Sequence, residues 1–187
     1  MRETLEEKLR EEAIPGEAFS LFAVLDGGSI PDLRTQLFKL EPEHECLFEG
    51  DLEPDMQEVA AYLVALPPDH PFTDWVLDRG WGKHWGIFVQ TQTSAQELVK
   101  HFRKFLVVYD ETGKSLRFRY YDPRVLPTFL PTCSKDELGK FFGPVNRFLA
   151  EGENPDKMLA FECKTGLLRK QEIPLAGGGA TNGDARN

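Results

Sequence analysis

Acidic side chains offer this sequence its clearest route to chemistry. Asp26 closes the apolar run FSLFAVLD, Glu49 follows the short run Cys46-Leu47-Phe48, and Asp122 closes the alternating stretch SLRFRYY. Three carboxylates at strand ends could gather around Mg²⁺, which takes oxygen ligands and polarises phosphate esters, so one reading is a metal-dependent phosphoesterase. The competing reading is structural. Asp26 and Asp122 would cap loops and pair with Arg119 or Arg124, because a buried carboxylate needs such a partner. We favour the second, with Asp26, Arg119 and Asp122 as a structural polar centre and no metal.

Other reactive residue types lack the spacing that chemistry requires. His44, His70, His84 and His101 form no H-x-x-x-H pattern, so they suggest no metal site. His101 falls on the inward face of a helix and reads as a core histidine, and His84 lies between two tryptophans. There is no G-x-S-x-G elbow, and Ser29 and Ser94 read as caps or turns. The glycines of GWGKHWGIF, residues 80–88, match neither a dinucleotide fingerprint nor a P-loop, and they lead into a strand instead of a helix. Either Trp81 and Trp85 pack over close turns, or one indole stays exposed to anchor a partner. Cys46, Cys133 and Cys163 contain no C-x-x-C pair, which points to free thiols in a reducing compartment. No cofactor is implied.

Arginine and tyrosine cluster in SLRFRYYDPRV, residues 115–125. Leu116, Phe118 and Tyr120 alternate with Arg117, Arg119 and Tyr121, the period of a strand with one apolar face. Asp122-Pro123 stops that strand, and Arg124-Val125-Leu126 opens a helix, with Asp as cap and Pro at the first position. Arg119 is assigned to Asp26 or Asp122, leaving Arg117, Tyr121 and Arg124 to face outward. The first turn of a helix is a poor place for a cation, so packing within the fold does not account for Arg124. Trp81, Trp85, Arg117, Tyr121 and Arg124 are therefore the candidate partner-binding residues.

These residues need a scaffold, and 187 residues suffice for one domain with a real core. The net charge of −9 disfavours duplex nucleic acid as a partner. No apolar run approaches the ~20 residues of a membrane span, and the opening MRETLEEKLREEA is a helix former, not an export signal. A cytoplasmic location follows as the expectation. Residues 1–17 read as a polar helix and linker, 18–173 as the main domain, and 174–187 as a disordered tail. Residues 19–26 predict a central strand buried on both faces. Capping boxes at Ser94/Glu97 and Ser134/Glu137 predict helices, the second running to Leu149 with a kink at Gly143-Pro144. Met158 to Cys163 and Leu167 to Ile173 predict a hairpin. The class is α+β, a single domain whose mixed sheet is covered by helices.

The segments LFAVLDGGSIPDL, LEPEHECLFEGDLEP, YLVAL, GWGKHWGIFVQT, RFRYYDPRVL and FFGPV, in that order, resemble the type VI secretion effector chaperones, or adaptors. These bacterial proteins have long been catalogued as a domain of unknown function. The resemblance covers roughly residues 20–150. It implies a non-enzymatic cytoplasmic protein that binds a secreted toxin effector and helps load it onto the valine-glycine-repeat spike protein. The family motifs fall on Asp26, on Trp81, His84, Trp85 and Gly86, and on Arg119 through Arg124.

Overall fold

A computed structural model describes residues 2–11, 16 and 18–175. The tail expected to be disordered falls, from residue 176 onward, outside the described residues. Strand β1, Ser20–Asp26, is buried at every position after Ser20. A run of that kind is stable only where neighbours pair on both edges and helices cover both faces. Its neighbours are β3, Ala61–Ala65, and β4, Gly86–Thr91, both antiparallel to it.

Four more strands complete a seven-stranded sheet of order β2-β3-β1-β4-β7-β8-β9. They are β2, His44–Cys46, β7, Val145–Glu151, β8, Lys157–Lys164, and β9, Leu167–Pro174. The α+β class is as expected. In detail, every pairing in the sheet is antiparallel instead of mixed, because the helical connections return strands beside neighbours of opposite direction. β3 and β4 run parallel to each other but flank β1, and helix α4, Pro71–Gly80, crosses between them.

The remaining helices are α1, Arg2–Leu9, α2, Leu33–Leu40, α3, Pro54–Glu58, α5, Ala95–Arg103, α6, Leu126–Phe129, and α7, Lys135–Phe142. The first carries a short apolar stripe. Leu5 and Leu9, one turn apart, are buried, and Gln90 Nε2 donates to the Leu9 carbonyl at 2.7 Å and the Glu11 carbonyl at 2.9 Å. Among the described residues no helix is long and apolar enough to cross a membrane.

Two local expectations are corrected. The helix capped by Ser134 and Glu137 forms with both halves of its capping box, but it ends at Phe142. Gly143 takes φ 47, ψ −113, a conformation closed to side chains, and Pro144 has no amide to donate. Residues 145–151 then enter the sheet as β7, buried throughout except for half-buried Asn146. The strand expected over 115–121 is also shorter. Only β6, Ser115–Arg117, forms, paired with β5, Val107–Tyr109, in a separate two-stranded ribbon with exposed side chains. The chain then curls through an Asp122 N–H to Arg119 carbonyl bond of 3.0 Å, which destroys the alternation. Tyr120 and Tyr121 both become buried, at 0% and 1% exposure.

Gly86 is required by close approach. A Cβ there would stand 2.1 Å from the Val24 carbonyl oxygen on the paired strand. Gly86→Ala should therefore destabilise the fold by more than about 3 kcal/mol. Gly139, inside α7 with open space around its Cβ position, should behave oppositely, with Gly139→Ala gaining roughly 0.5–1 kcal/mol. Chemical denaturation of the two variants would check the pair, and a neutral Gly86→Ala would contradict the close approach.

Candidate functional site

The end of β1 meets the 119–124 corner through a chain of alternating charges. Asp26 is 3% exposed. Its carboxylate accepts from the Gly28 amide at 3.1 Å and the Ser29 hydroxyl at 2.6 Å, and it pairs with the Arg119 guanidinium. The same guanidinium lies 3.8 Å from Asp122, which is buried beside it. Asp122 in turn accepts from the Arg124 backbone amide at 2.9 Å and from its Nε and a terminal nitrogen at 2.9 and 2.7 Å. Burial pushes the Asp122 carboxyl up, but the hydrogen bonds and charge of Arg124, aided by Arg119, outweigh that and hold it below the usual carboxylate range. Tyr121 lies against this chain. Burial, then the Asp26 charge, push its phenol up to about 12.

A second buried carboxylate organises the GWGKHWG loop. Glu151, at the end of β7, is 5% exposed. It accepts the Gly82 and His84 backbone amides, the latter at 2.6 Å, and lies against the His84 ring Nδ1. Gly82 and His84 both have positive φ, 81° and 59°, so this carboxylate holds the loop in a conformation a side chain resists. The Trp81 indole donates to the Pro155 carbonyl at 2.7 Å and packs beside Phe88.

Loop and corner are 40 residues apart in sequence and share one cleft of about 640 Å³. His84 and Glu151 form one part of its lining, Pro123 and Arg124 another, and Lys170 and Glu172 of β9 a third. The C-terminal ends of β1 and β7 lie at the same end of the sheet, since both strands run antiparallel to β4.

The candidate residues separate in this structure. Asp26, Arg119 and Asp122 come together as the polar centre expected of them. Trp81 is half-buried and Arg124 is exposed at the cleft. Two exposures are corrected. Trp85 is 8% exposed, packed at a tilt against Trp75 with ring centroids 4.7 Å apart and close to Gly80, and Tyr121 is buried as described. Neither presents a surface anchor. Arg117 is exposed but sits 3.8 Å over the Phe48 ring, on the ribbon. Arg124, which helix-dipole reasoning left without a role in the fold, has one in its paired bonds to Asp122.

Glu49 is exposed and pairs with Arg103 at 3.5 Å, away from the Asp26–Asp122 chain. Among the described residues no group of three or more His, Cys, Asp or Glu is placed to hold a metal ion. His101 is a core histidine. Its Nε2 is 2.8 Å from the Phe141 carbonyl, and burial lowers its pKa. Glu151 escaped sequence reasoning because the segment just before it, through Leu149, read as helix instead of strand. The signal was an acidic residue ending an apolar run, RFLAE, just as Asp26 ends FAVLD.

Two outcomes follow from this geometry. Asp26→Ala and Arg119→Ala should each cost about 2 kcal/mol, below the usual cost of breaking a fully buried pair because Arg119 is 45% exposed. The double variant should cost clearly less than the sum, and additivity in urea melts would show the pair uncoupled. For Asp122 the folded carboxyl is the stronger acid. Its contribution is present above the unfolded pKa near ~4 and is lost as pH falls through the lower folded value. Asp122→Asn should therefore flatten the loss of stability that sets in below about pH 5 and continues as pH falls through the lowered folded value. An unchanged acid limb would remove Asp122 from that role.

No curated protein and no solved structure matches this chain. Residues 21–140 match a family described as "Domain of unknown function (DUF4123)". The matched span holds β1 from Leu21, the GWGKHWG loop and the whole 119–124 corner, and it stops before β7 and Glu151. It covers more than half of the 187 residues, and on that extent the chain belongs to the DUF4123 family.

Proposed function

We propose that this protein is a chaperone or adaptor that binds a type VI secretion toxin effector in the cytoplasm and promotes its loading onto the valine-glycine-repeat spike, without catalysis. One observation carries the reading. Two of the segments that carry the resemblance, GWGKHWG and YYDPR, are held by buried carboxylates and supply His84, Pro123 and Arg124 to a single open cleft. The cleft is lined by charges of both signs, several already paired: Arg124 with Asp122, His84 with Glu151, Lys157 with Glu172. Such a surface suits recognition of a polypeptide, where paired rim charges set register, and half-buried Trp81, in the same loop as cleft-lining His84, would add contact beside it. The three free cysteines accord with a reducing compartment.

Phosphoester chemistry has less support. Asp26 and Asp122 direct their oxygens to arginines, amides and a hydroxyl, and Glu49 stands apart from them. The test is to read the neighbouring open reading frames for a toxin-like gene, co-express its product with this chain, and follow with affinity capture. The toxin should co-purify at a fixed stoichiometry, and Trp81→Ala together with Arg124→Ala should weaken capture roughly tenfold or more. Failure of the wild-type chain to retain the toxin would overturn the reading.

A further inference from the structure

The long strand β9 forms one border of the sheet, and its register shows which amides face outward. The two-residue turn Thr165-Gly166 has positive φ at both positions, 54° and 74°, the type I′ geometry that joins β8 to β9 directly. In that geometry the flanking pair, Lys164 and Leu167, exchanges both hydrogen bonds, and bonded pairs then alternate along the ladder. Leu167, Arg169, Gln171 and Ile173 therefore bond inward to β8. The same parity continues in the Leu175 amide, which donates to the Asp156 carbonyl at 2.8 Å. Leu168, Lys170 and Glu172 are left with amides and carbonyls directed away from the sheet. Pro174, next in that series, has no amide and closes the edge.

The edge and the cleft share a face. Side chains of Leu168, Lys170 and Glu172 lie on one side of the sheet by the period of two, and Lys170 and Glu172 line the cleft. A strand laid against β9 would set alternate side chains beside them. Charge selects the occupant. Glu172 is paired with Lys157 and Glu162 with Lys164, both at 3.0 Å, whereas Arg169 and Lys170 have no ion-pair partner among the described residues. The cleft lining also carries Glu151, Glu153 and Glu172, and the Lys170 charge reaches Glu172. The cationic excess therefore lies on the outer edge of β9 itself, which is locally basic on a chain of net charge −9. Exposed edges carry such cations to repel their own kind. A second copy would bring its own Arg169 and Lys170 against them, while an acidic strand would neutralise them.

We propose that the outer edge of β9, beside the cleft, takes an extended, acidic segment of a partner polypeptide, which adds to the sheet as a further strand. The inference rests on the partner-binding reading and gives that partner a conformation, a charge and a place.

The probe is a library of random twelve-residue peptides, selected on the full chain, with the leading peptide synthesised and titrated into ¹⁵N-labelled protein. Selected peptides should be rich in Asp and Glu alternating with β-branched residues. Binding should shift the Leu168, Lys170 and Glu172 amides and slow their hydrogen exchange. N-methylating alternate peptide amides should abolish binding without altering the protein. Lys170→Glu should weaken it roughly tenfold, and Lys170→Arg should retain it. The proposal fails if no peptide is enriched, if the peptides lack acidic bias, if the β9 amides do not move, or if sedimentation shows a dimer formed through β9. Toxin capture indifferent to Lys170→Glu would also overturn it while leaving the chaperone reading intact. Peptides docking on β9 in a chain that does not hold the toxin would leave the edge proposal standing and remove that reading.

Discussion

A guanidinium set between two carboxylates that water barely reaches holds the candidate-site end of this fold together. Asp26 terminates the central strand and Asp122 begins the turn into α6, 96 residues later. Each alone would carry a desolvated negative charge, and the two together would repel. Arg119 lies against both, so the corner can approach the end of β1 only with that side chain in place. Arg124 completes the neutralisation from the solvent side. The position of the corner, and with it part of the cleft lining, follows from charge balance as much as from apolar packing.

Glu151 does comparable work one strand pair away. Its oxygens receive two backbone amides of a loop whose residues 82 and 84 have positive φ. A carboxylate that can accept several hydrogen bonds offsets the strain of such a loop better than a neutral acceptor, because charge-assisted bonds are about twice as strong. The indoles then sort themselves by geometry. Trp85 follows the loop into the core against Trp75 and Gly80, while Trp81 stays at the surface with its nitrogen on Pro155. Two strand-terminal acids, on β1 and β7, therefore build neighbouring parts of the same end of the sheet.

That arrangement bears on the proposed function. Reactive centres concentrate groups whose charges are unbalanced towards a substrate, whereas here the deeply buried charges are spent on one another. What remains for an outside molecule is shape, an exposed arginine tethered by its aspartate, a half-buried indole, and a basic sheet edge with outward amides. On the reading proposed above, these are the features that would meet another polypeptide.

Much of this was legible in the sequence, for reasons that act locally. The apolar run at 21–25 could only be an interior strand, the Ser134/Glu137 box could only start a helix, and Thr165-Gly166 between two strand-like runs marked a tight turn. Asp26 and Arg119 were also legible as partners, because a buried charge demands an opposite one. The misreadings arose where sequence period and tertiary context compete. Tyr121 alternates with Tyr120 in the sequence, yet both are buried, because the turn at 119–122 removes the strand that would have separated them. Residues 145–149 carry apolar spacing that a helix could use, but Gly143 and Pro144 end the helix and the gap between β4 and β8 takes the segment as a strand. Glu151 had no visible partner, since its bonds are to backbone amides of a loop nearly 70 residues away. Residue type and short spacing determined the elements and their caps. Which side chains met in the cleft was decided only when antiparallel pairing brought the ends of β1 and β7 together, because that proximity depends on strand order, which local periodicity does not encode.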